Sequence, residues 1–319
     1  MPGPDEEGAR HSVVRPPGPF PMTGNGSQAT SPLVSVVIPF LDPPISFFQE
    51  AVEGVFSQTF QNWELILVDD GSGPEATSFA RRLAADHARR VRYLAHEGRA
   101  NRGIAASRNL GLANARGQLL ACLDSDDWWT PNKLLEQVAI LQDAPHIHAV
   151  FGRSLYWTSW KAGASIKTDR LHPLRVPDRT EMRKGEFLLR ILTSDIAVPC
   201  PSSVLVRTDH AIAVRGFDHE VSNHYEDQAF YAKLSLEGVI LACEDVWDRY
   251  RIHADSVLAR GSRAQARAAR RDFLEWLERE VQSREEIRPE LMRAIKLERA
   301  AARIPKGPGM LRLIRRLFR

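Results

Sequence analysis

Four stretches of unbroken apolar sequence limit most strongly how this chain can fold: VSVVIPF at 34–40, ELILVDD at 64–70, VRYLA at 91–95 and QLLACLD at 118–124. Their hydrophobicity is continuous rather than alternating, which does not suit a sheet with one wet face. They read as strands covered on both sides, as in a parallel sheet. Helical patterns fill the gaps. ISFFQEAVEGVFSQ (45–58) has apolar residues at helical spacing, and PEATSFARRLAADHA (74–88) opens with Pro where a first turn tolerates it. In TPNKLLEQVAIL (130–141), Thr130 can cap and Pro131 can start the helix. Strand–helix alternation of this kind predicts an α/β domain, a mostly parallel central sheet flanked by helices.

The remainder is organised less regularly. Residues 1–32 are rich in Pro, Gly and Ser without periodicity and read as a disordered leader. Residues 155–195 read as loops with one helix near 181–193, VPCPSSVLVRTD (198–209) as a return to strand, and EDQAFYAKLSLEG (226–238) as a helix stopped by Gly238. Beyond residue 260 the composition turns to Ala, Arg, Glu and Leu, as in exposed helix. The expected organisation is a catalytic domain over 33–258, divided into 33–150 and 151–258, then a helical extension over 259–319.

Length and charge exclude some classes. A chain of 319 residues can bury a sizeable core, and a net charge of +3 gives no case for nucleic acid. Cys122, Cys200 and Cys243 are widely spaced within apolar runs, the pattern of buried thiols in a reducing compartment. No apolar run approaches a signal-peptide core or a transmembrane span, so a cytoplasmic location is expected.

The chemistry concentrates where strands end. Asp69 and Asp70 close one strand; Asp124 closes another and is followed by Asp126 and Asp127. In open parallel sheets ligands bind beyond the carboxyl ends of the strands. Acids gathered there repel unless a cation or hydrogen-bond donors compensate, and hard oxygen ligands suit Mg²⁺ or Mn²⁺. Each segment has a plainer reading alone: a turn with Gly71, and a helix cap. Their occurrence in one strand–helix series favours a site.

VSVVIPF, LILVDDGS and NRGIAASRNLGLANARGQLLACLDSDDWWTPNKL together resemble the N-terminal half of family 2 glycosyltransferases of the glycosyltransferase-A fold. RGFDHE, HYEDQAFYAKL and YRIHADSV resemble the family's later segments, so the likeness runs from about residue 33 to about 258. The resemblance implies an inverting, metal-dependent transfer from a nucleotide-diphosphate sugar to a saccharide, lipid-linked or protein hydroxyl. Pro39 falls where the family's first strand meets the nucleotide, and Asp70 matches the acid that bonds the base. Arg108 matches a position near the nucleotide and diphosphate. Asp124-Ser125-Asp126 matches the Asp-any-Asp motif, one acid for the ribose and another for the metal. Asp127 extends the cluster, leaving Asp126 and Asp127 both open as the closer metal ligand. Asp227, in the Glu226-Asp227 pair, matches the proposed general base; acids at a helix start also have a purely electrostatic reading.

The physical logic agrees with those roles. A divalent ion stabilises a departing diphosphate as a Lewis acid, and a carboxylate can take the acceptor's proton. Trp128 and Trp129 follow the acids; at least one belongs in the core, and the other is a candidate for sugar stacking. His253 is a candidate near the metal, against the commoner structural reading of a lone His. Ser202 and Ser203 are candidates near the acceptor. The terminal GPGMLRLIRRLFR can form an amphipathic helix with arginines on one side, a pattern suited either to peripheral contact with an anionic membrane or to packing on protein. Two other functions compete. A sugar nucleotidyltransferase would show a Gly-rich, Arg-containing loop where this chain has PFLDPP, and a non-catalytic nucleotide-sugar binder would not need both the acid cluster and Asp227.

Overall fold

The computed structural model describes residues 32–161, 168–221, 224–253, 262–284 and 288–303. The leader up to residue 31, the segment after YRIH and the basic tail lie outside the described residues. In chain order the elements are β1 (Val34–Phe40), α1 (Ile45–Phe56), β2 (Trp63–Asp69), α2 (Pro74–Asp86), β3 (Val91–Ala95), α3 (Ile104–Ala113) and β4 (Leu119–Cys122). Next come β5 (Trp128–Trp129), α4 (Lys133–Asp143), β6 (Ala149–Trp157), β7 (Arg170–Leu171), β8 (Thr180–Met182) and α5 (Glu186–Thr193). The chain continues through β9 (Leu205–Arg207), α6 (Thr208–Ala213), α7 (Glu226–Glu237), β10 (Ile240–Arg251), α8 (Arg263–Gln282) and α9 (Pro289–Arg303).

The strands form one sheet in the order β3-β2-β1-β4-β9-β6-β10-β5, with β7 on β6 and β8 on β10. β1 to β4 pair in parallel, β9 runs antiparallel to both β4 and β6, and β6 pairs in parallel with β10. β1–β4, β6 and β10 therefore all point the same way, and their carboxyl ends share one edge. The sheet is mixed, more so than the apolar runs suggested. The antiparallel β9 is only three residues long, and residues 201–203 ahead of it form a tight 3-10 turn, so the expected strand at 198–209 is much reduced.

Every residue of β1 and β2 is buried, as their unbroken hydrophobicity required. Alternate side chains feed two cores. Val36, Ile38, Leu65, Leu67 and Ala121 pack with α1, α2 and α4, whereas Val37, Ile66, Val68, Leu120 and Cys122 pack with α3, α6 and α7. Gly111 permits the close approach of α3, since a Cβ there would lie 2.3 Å from a methyl of Val37. A third core joins α8 and α9 to α5 and α7 through Phe273, Leu274, Leu277 and Ile295 against Leu188, Ala229 and Ala232. The helical extension thereby braces the helix that begins with Glu226. Ser262 and Gln265 close a reciprocal capping box at the start of α8. Among the described residues no helix is long and apolar enough to cross a membrane.

Candidate active site

Asp69 and Asp70 leave β2 together but serve different ends. Asp69 is wholly buried and accepts hydrogen bonds from the Gly71 and Ser72 amides, the Thr77 hydroxyl and the Tyr93 hydroxyl. Burial favours its neutral form, but these donors outweigh that and hold its pKa below the ordinary value. Asp70 accepts from the Arg102 amide at 2.7 Å and the Gly103 amide at 3.0 Å, tying the loop ahead of α3 to the sheet edge. Gly71 makes this junction feasible, with φ +93° and Arg99 O only 3.0 Å from where a Cβ would sit. Pro39 lies buried in β1 opposite Val68, one residue before Phe40, whose carbonyl accepts from the Asp70 amide.

The three acids after β4 differ in exposure, and that difference separates their capacities. Asp127 is fully buried: one oxygen accepts from the Ser202 hydroxyl at 2.7 Å, the other from the Arg251 amide at 3.0 Å. Burial, with the charges of Asp126 and Asp124, pushes its pKa well up. The Asp124 side chain is 21% exposed and accepts from Arg108 at 2.7 Å. Asp126 is the most open at 30% and lies 2.9 Å from His253 Nε2. Among the described residues His253 Nδ1 is buried without a hydrogen-bond partner, and its ring meets Phe47 edge-on at 5.4 Å. Ser202 also accepts from the Asp124 amide, so it joins two of the acids from below. The Ser203 hydroxyl donates to Cys200 O, and its carbonyl accepts from Gln137.

The two tryptophans differ in burial, and Trp129 belongs to the core as expected of at least one of them. Trp129 is buried, donates to Ser202 O and lies under the Lys133 ammonium. Trp128 is half-buried, with the Arg249 guanidinium 4.7 Å from its ring. Arg251 had no sequence signal, yet it organises the edge. Its side chain is 1% exposed, donates to Asp126 O and pairs with Glu50, and its guanidinium is flanked by Phe47 and Trp157. The three cysteines are free and buried. Burial raises Cys122 to about 11 and Cys243 to about 12, so both remain thiols.

Across from the acids, Glu226 and Asp227 open α7. Arg108, on α3 and wholly buried, spans the gap: one guanidinium nitrogen donates to Asp124 at 2.7 Å and the other to Glu226 at 3.0 Å. The two carboxylates overcome the burial that disfavours its charge and hold its pKa above the ordinary value. Burial and the neighbouring Asp227 push Glu226 up to about 8, against the pull of Arg108. Asp227 is half-buried, accepts from the Gln228 amide at 2.6 Å, and is pushed up to about 6 by burial.

Two other features lie away from this edge. Asp178, Cys243 and Asp245 are close enough to share an ion, but Arg179 already reaches Cys243 Sγ at 3.3 Å and Asp245 at 3.0 Å. A cleft of about 490 Å³ opens where α6 and α7 face the end of α8. Its walls mix Arg215, Lys233 and Arg284 with Asp218, Glu220 and Glu237, which favours no single class of ligand.

The fold and this edge define a glycosyltransferase-A architecture. Solved chains share it: Staphylococcus aureus TarS 1–349 in complex with UDP-GlcNAc at TM-score 0.62 and 17% identity, covering 84% of this chain and 71% of that one. The mannosyltransferase PcManGT from Pyrobaculum calidifontis, in complex with GDP-Man and Mn²⁺, aligns at TM-score 0.51 and 17% identity over 89% of this chain and 79% of that one. The sequence model of Glycosyl transferase family 2 matches residues 35–212, and the chain belongs to that family. Bacillus subtilis (strain 168) EpsE, which carries a glycosyltransferase name, is 33% identical over 136 residues, 43% of this chain and 46% of EpsE. Rickettsia prowazekii RP339, also named as a glycosyltransferase, is 34% identical over 111 residues, 35% of this chain and 32% of its own length. The chain thus spans less than half the length of these curated relatives.

Proposed function

We propose that this chain transfers a glycosyl group, with inversion, from a nucleotide-diphosphate sugar to the hydroxyl of a saccharide or lipid-linked acceptor. The observation that carries the reading is the Arg108 span, which brings the Asp124–Asp126 segment and the Glu226–Asp227 helix start to one edge from distant parts of the chain. The neighbours bound to UDP-GlcNAc and to GDP-Man support a nucleotide-sugar donor, and the second of them supports Mn²⁺.

Asp126 and His253 fit a divalent ion. They offer a carboxylate and an imidazole nitrogen 2.9 Å apart, with Asp126 partly open, so that an ion held by both would replace their present bond. This donor set suits Mn²⁺, and Mg²⁺ less well because of the imidazole. A bound ion would supply Lewis-acid stabilisation of the leaving diphosphate. Asp127, with both oxygens taken by protein donors, supports this pair from beneath. Asp124 faces the donor beside them, suited to a ribose hydroxyl. Asp227 accepts the acceptor's hydroxyl proton, and a value of about 6 leaves it ionised at neutral pH yet basic enough to work. Asp70 and Pro39 shape the edge against which the base lies.

A thermal-shift screen of UDP- and GDP-sugars with and without Mn²⁺ tests the reading. The expected result is a nucleotide-sugar shift that needs the metal and disappears in Asp126→Ala and His253→Ala. Metal-independent shifts, unchanged in both variants, would remove the ion from the mechanism.

A further inference from the structure

Resting on this functional reading, we propose that Arg108 is a positioning residue, a buried strut that fixes the general-base helix against the donor-binding acids. Three observations carry it. The guanidinium has no exposed surface, and its hydrogen bonds go to protein carboxylates. It holds one acid on each side of the site, Asp124 after β4 and Glu226 at the first turn of α7. Among the described residues Arg108 Nε and Glu226 Oε2 are buried without partners, so each end of the strut is held by a single bond.

The chemistry of the fork explains why arginine stands there. A planar guanidinium reaches two acids at once along fixed directions, whereas an ammonium is a point charge on a flexible stem. The Phe217 ring, 5.3 Å from the guanidinium, lies beside this span. Phe217 is itself clamped, its amide and carbonyl both bonded by Asn109, one residue after Arg108. Through Arg108 and Asn109, α3 thus grips both the start of α7 and the loop before it.

The strut also sets the charge around the base. The groups that face Asp227 are Arg108 from α3, Asp124 from beyond β4, and Glu226, Tyr225 and Tyr231 from its own helix region. Arg108 is the one cation among them. Without it the anionic form of Asp227 loses its counter-charge, and the pH below which transfer fails moves up. Glu226, pushed up to about 8, is protonated where Asp227 titrates, so its loss removes no charge there and leaves that pH in place.

The test measures nucleotide release from UDP-GlcNAc or GDP-Man with Mn²⁺, across the pH range around Asp227's value of about 6, for Arg108→Met, Arg108→Lys, Glu226→Leu and Asp227→Asn. Arg108→Met should raise the acid limb by about one pH unit. Arg108→Lys, which keeps the charge but not the fork, should lower kcat by up to about 100-fold with a much smaller shift in the limb. Glu226→Leu cuts the strut only at its far end, so kcat should fall with donor KM unchanged and the limb left in place. A merely structural role would lower the folded fraction, leave kcat per folded enzyme at the wild-type value and leave the acid limb in place. Wild-type kcat and pH profile in Arg108→Lys and Glu226→Leu would overturn the proposal, and if the arginine variants do not fold, Glu226→Leu decides alone. An active Asp227→Asn enzyme would instead sink the functional reading on which the strut rests.

Discussion

Asp126 and Asp127 are adjacent acids in one motif, and their surroundings predict opposite phenotypes when each is replaced by alanine. Asp127→Ala strands two buried donors, the Ser202 hydroxyl and the Arg251 amide. An unsatisfied buried donor costs about 1–3 kcal/mol, and the hydroxyl can turn to another acceptor, so a loss of about 2–4 kcal/mol is expected. At roughly 2–4 °C per kcal/mol for a domain of this size, the melting temperature should fall by about 4–16 °C. Asp126→Ala removes a partly exposed side chain paired with His253, and its cost should stay within about 1 kcal/mol. Its effect should appear in binding, as a drop of at least about tenfold in Mn²⁺-dependent nucleotide affinity. Thermal melts without ligand, followed by Mn²⁺ and nucleotide titrations on folded protein, separate the two. A fully stable Asp127→Ala that has lost the metal, beside an Asp126→Ala that keeps it, would refute this division of labour.

Other positions give equally direct outcomes. Transfer should fail as pH falls through about 6, because the base Asp227 must be unprotonated; a pH–rate profile with no acid limb near that value would count against it. Gly111→Val should destabilise the protein by about 1–3 kcal/mol, since even a Cβ would lie 2.3 Å from Val37, and chemical denaturation measures this. Phe273→Ala, in the core joining α8 to α7, should cost about 3–5 kcal/mol and lower activity with it; a normal melting curve would show that the extension does not brace the base helix.

The strand runs were legible because burial on both faces leaves no polar alternation, and β1 and β2 are buried at every residue. β10 was not legible. Its register shifts between Ala242 and Val246 and again before Asp248, so no simple period survives in CEDVWDRYR. β6 was hidden by Gly152 and Arg153 at its centre; the glycine is required because a Cβ would lie 2.4 Å from Asp245 O. The site acids could be named from motifs, since their spacing is local. Their division into buried and open members could not, because it depends on Ser202 and Arg251, far away in sequence. Arg108 shows the same limit. Its motif suggested the neighbourhood of the diphosphate, whereas its position between Asp124 and Glu226 depends on how α3 and α7 pack.

The most direct measurement of the whole account is a single-turnover assay of Asp227→Asn with saturating Mn²⁺ and nucleotide sugar, alongside calorimetric donor binding. Donor affinity within about threefold of wild type and transfer slowed by about 10²-fold or more are expected if the acid edge holds the donor and Asp227 acts only on the acceptor. Transfer at the wild-type rate, or loss of donor binding in that variant, would contradict the separation of a metal-bearing donor edge from a proton-accepting helix start.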